Sequence, residues 1–169
     1  MHLVRYADDF VVLSKTKEAL EETIVPAIQS FLEERGLRLH PIKTVITHLD
    51  QGFDFLGFNF KLRPSTKNVT GKGLWVTPTK KGKQRLKDKV KAICKLGRHW
   101  TSYRLIQKLS PIIRGWRNYY KHVNSKRIFT KIDWFIWHRL FKWASVKHKN
   151  LGARKVYELY YHLSLIHIS

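Results

Sequence analysis

The sequence predicts an α+β protein in which short antiparallel strands and one helix precede an all-α, strongly basic region. Three observations favour this class. Short β-branched and aromatic runs flank turn residues in the first third of the chain, apolar residues recur at helical spacing in the second half, and the charge balance changes sign between them. The single cysteine, Cys94, excludes an internal disulfide and a cysteine-cluster metal site.

The charge distribution points to a polyanionic partner. Residues 1–60 carry six Lys/Arg and nine Asp/Glu, whereas residues 61–169 carry 27 Lys/Arg and three Asp/Glu. The balances are therefore −3 and +24, and a segment this cationic repels itself unless it binds anions. Nucleic acid is favoured, because Lys or Arg near phosphate releases counterions. An anionic membrane surface is the alternative.

The sequence carries no visible signal peptide and no apolar run near the ~20 residues of a membrane span. We therefore expect a cytoplasmic protein with no membrane partner. Nothing in the sequence predicts the oligomeric state.

The first third is predicted to form a strand–turn–strand over residues 3–13, with Ala7-Asp8-Asp9 as the tight link. A helix capped by Ser14 or Thr16 follows and ends near Gly36. Pro26 is expected to kink or split this helix.

Further strands are predicted on both sides of Pro41, at residues 37–39 and 45–46. The stretch "GFDFLGFNFKL" and the later "LWV" predict an aromatic β-hairpin. The predicted divisions are a strand-rich segment at residues 1–63, a hairpin or linker at 64–80 and a helical region at 81–150.

Apolar spacing predicts four helical segments in the basic half. The first carries Leu86, Val90, Ile93 and Leu96/Gly97 on one face. The second spans Ser102 to Leu109, the third begins with Pro111 in its first turn, and the last runs from Ser125 to His148. Trp116, Trp137 and Trp143 are predicted to be buried.

The adjacent carboxylates Asp8 and Asp9 are the main catalytic candidates. Hard cations such as Mg²⁺ prefer carboxylate oxygens, and two such ions can clamp the entering and leaving oxygens of an in-line phosphoryl transfer. An Asp-Asp pair is also an ordinary turn dipeptide. Its position between two apolar arms favours the metal-binding interpretation.

Tyr6-Ala7-Asp8-Asp9 closely resembles the Tyr-x-Asp-Asp motif of reverse transcriptases. The resemblance implies that Asp8 and Asp9 bind Mg²⁺ as part of a two-metal site, with a further aspartate supplied by an earlier palm strand. Lys43 matches a lysine of this family and by resemblance would handle the leaving pyrophosphate. Its alternative role is a solvated strand-end lysine. His40 and Pro41 depart from the asparagine-containing pattern usually found there.

The stretch "FDFLGF" resembles the primer-grip element of group II intron reverse transcriptases. The resemblance implies that Phe55, Leu56 and Gly57 hold the 3′ end of a primer through the hairpin's shape. Alternatively, the phenylalanines of this stretch lie in the core. In that case only the hairpin's shape and Leu56-Gly57 would contact the primer.

The stretch from "LSPIIRGWRNYYKHV" through "FKWASVKHKN" resembles the maturase domain, or domain X and thumb, of group II intron-encoded proteins. Basic and aromatic residues alternate in it, as suits structured RNA or an RNA–DNA hybrid. The predicted nucleic-acid-binding residues are Arg114, Arg117, Lys121, Lys126, Arg127 and Lys131.

The resemblance as a whole implies the late palm and thumb of an RNA-directed DNA polymerase that also binds group II intron RNA and assists splicing and mobility. Its partners would be intron RNA, an RNA template with a DNA primer, and dNTPs. Alternatives are a non-enzymatic splicing maturase, or a CRISPR-associated or other bacterial reverse transcriptase.

Two expectations concern the ends of the chain. The family's fingers and earlier palm strand are expected to precede residue 1 in a parent protein, so the chain alone is expected to be inactive. Residues 163–169, "LSLIHIS", resemble a translated sequencing-library adapter and are left out of the fold prediction.

Overall fold

The computed structural model describes residues 1–66, 68–69 and 71–160 of the chain. The predicted class is confirmed, because antiparallel strands and one helical segment precede a mostly helical region. The prediction for residues 163–169 lies outside the described residues. In chain order the elements are β1 (His2–Tyr6), β2 (Asp9–Leu13), a π-helical turn (Ala19–Ile24), α1 (Val25–Glu33), β3 (Phe53–Phe55), β4 (Phe58–Pro64), β5 (Lys72–Pro78), α2 (Lys80–Leu96), α3 (Ser102–Tyr120), α4 (Lys126–Lys147) and α5 (Ala153–Tyr160).

The predicted strand–turn–strand is a two-stranded antiparallel hairpin of β1 and β2. Tyr6 pairs with Asp9, which leaves Ala7 and Asp8 as a two-residue loop. Ala7 has a φ of 51°, in the left-handed region that tight hairpin loops use. Arg5 Nε donates to the Ala7 carbonyl at 2.9 Å and holds the loop from inside the hairpin.

The next helical segment is split at Pro26, as predicted. Thr16 Oγ1 accepts from the Ala19 N–H at 3.3 Å and caps its start. Upstream of the proline the Val25 N–H donates to the Leu20 carbonyl, five residues back, so this turn is π-helical. Pro26 lies in the first turn of α1, where its missing N–H breaks no helical hydrogen bond.

Gly36 ends α1 as predicted. Its φ is +67°, its N–H donates to the Glu33 carbonyl at 3.0 Å, and the Leu37 N–H donates to the Leu32 carbonyl at 2.9 Å. This pair of bonds is a Schellman motif, which uses a left-handed residue to satisfy the last helical carbonyls.

The strands predicted on either side of Pro41 are wrong. Residues 37–49 contain turns and irregular backbone. The His40 carbonyl accepts from the Lys43 and Thr44 N–H groups at 3.1 and 3.0 Å, and His40 Nδ1 accepts from the Ile42 N–H at 3.3 Å. These local bonds form a turn over residues 40–44, between the two predicted strands, and Pro41 supplies no N–H of its own.

The predicted aromatic hairpin is confirmed as a three-stranded antiparallel sheet in the order β3-β4-β5. Phe53 pairs with Phe60, and their rings stack with centroids 5.3 Å apart. β5 then continues directly into α2 through Thr79, whose Oγ1 caps the helix by accepting from the Gly82 N–H at 3.0 Å. The sheet is thereby joined to the helical region.

The core lies in the helices and spans α2 to α5. Side chains from all four helices pack in one cluster. The buried apolar residues are Leu86, Val90, Cys94, Leu105, Leu109, Ile113, Tyr120, Phe129, Ile132, Ile136, Leu140, Trp143, Ala144 and Val156.

The predicted break between a second and a third helix is wrong, because α3 runs through Pro111. Leu105, Leu109 and Ile113 follow one another at intervals of four residues and are all buried. Their burial is contiguous across the proline, which itself faces solvent. Packing of this stripe offsets the hydrogen bond that Pro111 removes, a loss of about 3 kcal/mol in a helix interior.

Burial corrects two of the predicted core positions. Leu96 is 72% exposed and Trp137 is 38% exposed, whereas Trp143 is buried at 4% as predicted. Trp116 is partly buried against the core. The helical region also continues past residue 150 into α5, where Val156 is buried. The signal for α5 was available in Val156 and Tyr160, which are one helical turn apart.

Candidate metal turn and nucleic-acid interface

The two acids of the hairpin lie at its tip. Asp8 is the second loop residue and Asp9 is the first residue of β2, and both are exposed. Within the described ranges, neither carboxylate forms an ion pair or a side-chain hydrogen bond with the protein. Their oxygens are the hard ligands that Mg²⁺ prefers, and both are free to take a cation.

The acid pair stands alone among the described side chains. No group of three or more His, Cys, Asp or Glu side chains that could hold a metal occurs in residues 1–66, 68–69 and 71–160. Lys43 lies in the turn after His40, is exposed, and forms no ion pair with either acid in that part of the chain. Asp50 and Asp54 belong to other segments, near β3.

The β3–β4 turn, predicted as the primer grip, lies against the end of α3. Leu56 and Gly57 have φ values of +48° and +81°, as a type I′ hairpin turn requires. Tyr119 Oη donates to the Leu56 carbonyl at 2.7 Å, and Tyr120 Oη donates to the Gly57 carbonyl at 3.1 Å. Phe55 is half-buried on β3. The turn is therefore fixed to the helical region by its own carbonyls.

An aromatic cluster surrounds this junction. Phe58 stacks on Tyr119 with ring centroids 5.0 Å apart and meets Tyr120 edge-on at 5.1 Å. Trp116 packs against Tyr120 at 4.8 Å and against Phe129 of α4 at 5.6 Å. Burial raises the pKa of the Tyr120 phenol, with the neighbouring Tyr119 adding to the effect. Tyr120 therefore stays a neutral donor to the turn.

The close packing around Tyr120 also explains why glycine occupies two neighbouring positions. A Cβ placed on Gly57 would lie 3.0 Å from Tyr120 Oη, and one placed on Gly82 would lie 2.7 Å from the same atom. Gly57 belongs to the hairpin turn and Gly82 to the first turn of α2. Both elements approach the phenol closely because these positions carry no side chain.

A second tie joins the sheet to the α3–α4 loop. The Asn124 N–H donates to the Val76 carbonyl at 2.9 Å, and Asn124 Oδ1 accepts from the Val76 N–H at 3.2 Å. Asn124 thus pairs with β5 as a neighbouring strand would. Ser125, the next residue, is buried just before α4, and its Oγ donates to the Tyr120 carbonyl at 2.9 Å.

The six predicted nucleic-acid-binding residues are all exposed. Arg114 and Arg117 lie on α3 and Lys121 ends it, at intervals of three and four residues that place them on one face. The remaining three lie in the first two turns of α4. The exposed set is Arg114, Arg117, Lys121, Lys126, Arg127 and Lys131.

The cationic surface extends onto α2 beyond the predicted set. The pKa of Lys83 is lowered, first by burial and then by the nearby charges of Lys80, Lys87 and Lys131. Lys131 belongs to α4, so lysines of two helices meet here. An anion that enters such a site stabilises the charged lysines, because it offsets the repulsion between them. The proximity of α4 to Lys83 could not be predicted from sequence spacing.

Another set of cations lines a groove of about 470 Å³ between α2 and α4, here called the basic groove. Its floor includes Cys94, whose thiol pKa is raised by burial. Arg139 Nε is buried there with no hydrogen-bond partner among the described atoms. The lining residues are Lys91, Ala92, Cys94, Lys95, Arg98, Arg139, Lys142, Trp143 and Val146.

Within residues 1–66, 68–69 and 71–160, none of the helices has the length and apolar character that crossing a membrane would require. The exposed surface described above is instead strongly cationic.

Comparisons with known families match the two halves of the chain separately. The family model "Reverse transcriptase (RNA-dependent DNA polymerase)" matches residues 1–60, which contain the acid turn. The family model "Group II intron, maturase-specific domain" matches residues 83–161, which contain most of α2 and all of α3 to α5.

A curated relative is similar to part of the chain. The chain is 31% identical over 102 residues to "Maturase-like protein 1" of Euglena gracilis. The match covers 60% of this chain and 21% of the relative, so the chain spans about a fifth of that protein. The predicted resemblance is confirmed: a reverse-transcriptase segment at residues 1–60 precedes a group II intron maturase-specific domain at residues 83–161.

Proposed function

We propose that this chain provides the late palm and the RNA-binding thumb of an RNA-directed DNA polymerase that also binds group II intron RNA and assists splicing and mobility. The observation that carries the proposal is the joining of two surfaces in one chain. An exposed pair of carboxylates lies at a hairpin tip, and an exposed cationic surface covers α2, α3 and α4.

In this proposal the acid turn serves polymerisation. Asp8 and Asp9 would hold Mg²⁺, which when bound would neutralise the charge on triphosphate oxygens and activate the primer hydroxyl. The residues fit by their chemistry, because both offer unpaired carboxylate oxygens. The turn geometry positions them, since Arg5 holds the Ala7 carbonyl at 2.9 Å.

We further propose that the chain by itself does not polymerise. Two carboxylates supply only part of the oxygen shell that Mg²⁺ requires. No third acid joins them among the described residues. In the complete polymerase, Lys43 would act on pyrophosphate, and the β3–β4 turn with Phe55, Leu56 and Gly57 would form the primer grip. Intron RNA, a primed RNA template and dNTPs are the proposed partners.

The basic half would serve RNA binding independently of the acids. All six predicted residues are exposed, and no described carboxylate forms an ion pair with Arg114, Lys121 or Lys131. Such cations supply phosphate contacts that recognise the shape and backbone of folded RNA. A non-enzymatic maturase is the second candidate, favoured by the absence of a third acid from the described site.

The test compares two variants of the full chain. Arg114→Gln/Lys121→Gln/Lys131→Gln is expected to bind a group II intron RNA at least tenfold more weakly, because phosphate contacts supply most of the affinity. Asp8→Asn/Asp9→Asn is expected to bind that RNA as tightly as the parent chain. Equal binding by all three proteins would contradict the RNA-binding proposal.

Primer extension on an RNA template with Mg²⁺ and dNTPs tests the polymerase proposal. The chain alone is expected to incorporate nothing. Incorporation by the chain alone would show that two acids suffice. When the chain is part of a protein that carries the remaining palm, Asp8→Asn/Asp9→Asn should abolish extension. Unchanged extension there would show that Asp8 and Asp9 take no part in polymerisation.

A further inference from the structure

Helix α4 has two faces of different character. Its inner face is buried in the core and includes Ile132, Ile136 and Leu140. Its outer face carries large aromatic side chains in solvent. Trp134 is 64% exposed and Trp137 is 38% exposed. Because apolar residues usually lie inside, large exposed aromatic groups on one face mark an interaction surface.

These aromatic side chains form a continuous row along α4. The ring centroids of Trp134 and His138 lie 3.8 Å apart, and His138 Nδ1 lies 2.9 Å from the Trp134 carbonyl. Trp137 meets His138 at 4.8 Å and stacks on Phe141 at 5.3 Å with an angle of 9° between the rings. We call Trp134, Trp137, His138 and Phe141 the aromatic strip, in which Phe141 is half-buried and packs against the core. The ring contacts hold the strip in place before any ligand arrives.

The same face of α4 carries the charge that a nucleic acid requires. Arg127 lies one turn before Lys131, Lys131 one turn before Trp134, and Lys142 one turn after His138. The whole helix contains six Lys/Arg and a single carboxylate, Asp133. Lys142 also lines the basic groove, so the strip and the groove adjoin. Charge complementarity therefore identifies a polyanion as the occupant.

We propose that the aromatic strip stacks the unpaired bases of a bound RNA, while Lys131 and Lys142 contact the phosphates on either side. Bases inside a duplex are already stacked on one another, so only bases in loops, bulges or ends can lie on exposed rings. This inference rests on the proposed RNA binding. It specifies that α4 binds unpaired segments of the RNA.

The test measures binding of the full chain to two probes. One is a short single-stranded oligouridylate that carries one 2-aminopurine, and the other is a blunt RNA duplex of similar length. Trp134→Ala is expected to weaken binding of the single strand about 5-fold to 150-fold, the range for one stacked base. Duplex binding should change less than twofold, because phosphate contacts remain. The 2-aminopurine fluorescence should be quenched by the parent chain and not by the variant.

Two matched variants control for structure and for aromatic content. Trp134→Phe keeps a ring and should retain most of the quenching. Tyr103→Ala removes an aromatic side chain that is 76% exposed on α3, outside the strip, and should bind the single strand normally. Trp134 is largely solvent-exposed, so its removal should leave the thermal unfolding of the chain unchanged.

Several outcomes would overturn the inference. Equal loss of single-strand and duplex binding in Trp134→Ala would mean that the strip contacts the sugar-phosphate backbone and not the bases. Unchanged binding and quenching would mean that the strip does not contact bases. Dimerisation of the parent chain that Trp134→Ala abolishes, seen by sedimentation without RNA, would assign the strip to a second copy. Failure of every protein to bind intron RNA would instead reject the proposed function.

Discussion

Apolar side chains are largely exposed in the β1–β2 hairpin and buried in the helical region. In the hairpin Leu3, Val4 and Tyr6 are 58%, 51% and 65% exposed, and the sheet has two strands. In the helices α2 to α5 the apolar stripes meet in one buried cluster. An isolated two-stranded hairpin is marginally stable in water. Most of the buried apolar surface, and with it most of the hydrophobic stabilisation, therefore lies in the helical region.

The largest expected effect on stability comes from truncating a core side chain of the helical region. Leu109→Ala should lower the free energy of unfolding by about 2–5 kcal/mol, because it removes a fully buried side chain and leaves a cavity. Leu3→Ala removes the same atoms from an exposed site and should cost less than about 0.5 kcal/mol. Urea unfolding followed by circular dichroism measures both. Similar losses for the two variants would mean that the hairpin is packed in solution.

The next largest effect on stability is expected at the junction between the three-stranded sheet and the helices. Gly57→Ala should cost about 1–2 kcal/mol for its left-handed backbone, with an additional loss from the close approach to Tyr120. Gly71→Ala has a similar φ of +66° and nothing within 4 Å of its added Cβ. The difference between the two variants isolates the effect of Tyr120. Equal losses in thermal unfolding would mean that the turn does not pack on Tyr120 in solution.

Removing the hydroxyl that holds the same turn should have a smaller effect. Tyr120→Phe should lower the unfolding free energy by about 0.5–1.5 kcal/mol, the usual net value of one hydrogen bond. The ring stays in the aromatic cluster, so the packing is preserved. No change in stability would show that the bond to the Gly57 carbonyl is not formed.

The smallest expected effect concerns a surface ion pair between β5 and the turn that precedes β3. Lys72 donates to Asp50 at 2.7 Å, and this hydrogen bond holds the Asp50 pKa below its ordinary value. Because the folded-state pKa is lowered, the pair stabilises the fold above the ordinary pKa and loses this effect as the pH falls through the lowered value. Asp50→Asn should therefore lower the melting temperature slightly at neutral pH and not at strongly acidic pH. Lys72→Met should reproduce this pH dependence, and a constant difference at every pH would contradict it.

Sequence patterns predicted the elements whose signals are local. The caps at Thr16 and Gly36, the split at Pro26 and the aromatic hairpin follow from neighbouring residues, and the structure confirms them. Two predictions failed for different reasons. Packing of the apolar stripe of α3 overrides Pro111, and hydrogen bonds to His40 form a turn between the two stretches that were expected to be strands.

The candidate site divides in the same way. The acid pair and the exposed cations could be located from their residue types, since turns and polar helical faces are visible in a sequence. Trp137 and Trp143 are both predicted to be buried, but only Trp143 is, because the two residues lie on different faces of α4. The basic groove and the docking of Leu56-Gly57 on the tyrosines depend on the arrangement of separate elements. Their roles in binding and catalysis stay predictions.

The salt dependence of intron RNA binding tests the central claim most directly, namely that the cationic helical surface binds RNA phosphates without help from the acid turn. For the parent chain, the logarithm of the association constant should fall steeply and linearly with the logarithm of salt concentration. Arg114→Gln/Lys121→Gln/Lys131→Gln should reduce that slope by about 0.7–0.9 for each phosphate that the variant no longer neutralises. Asp8→Asn/Asp9→Asn should leave it unchanged. A slope unaffected by the three glutamines, or reduced by the two asparagines, would contradict the account.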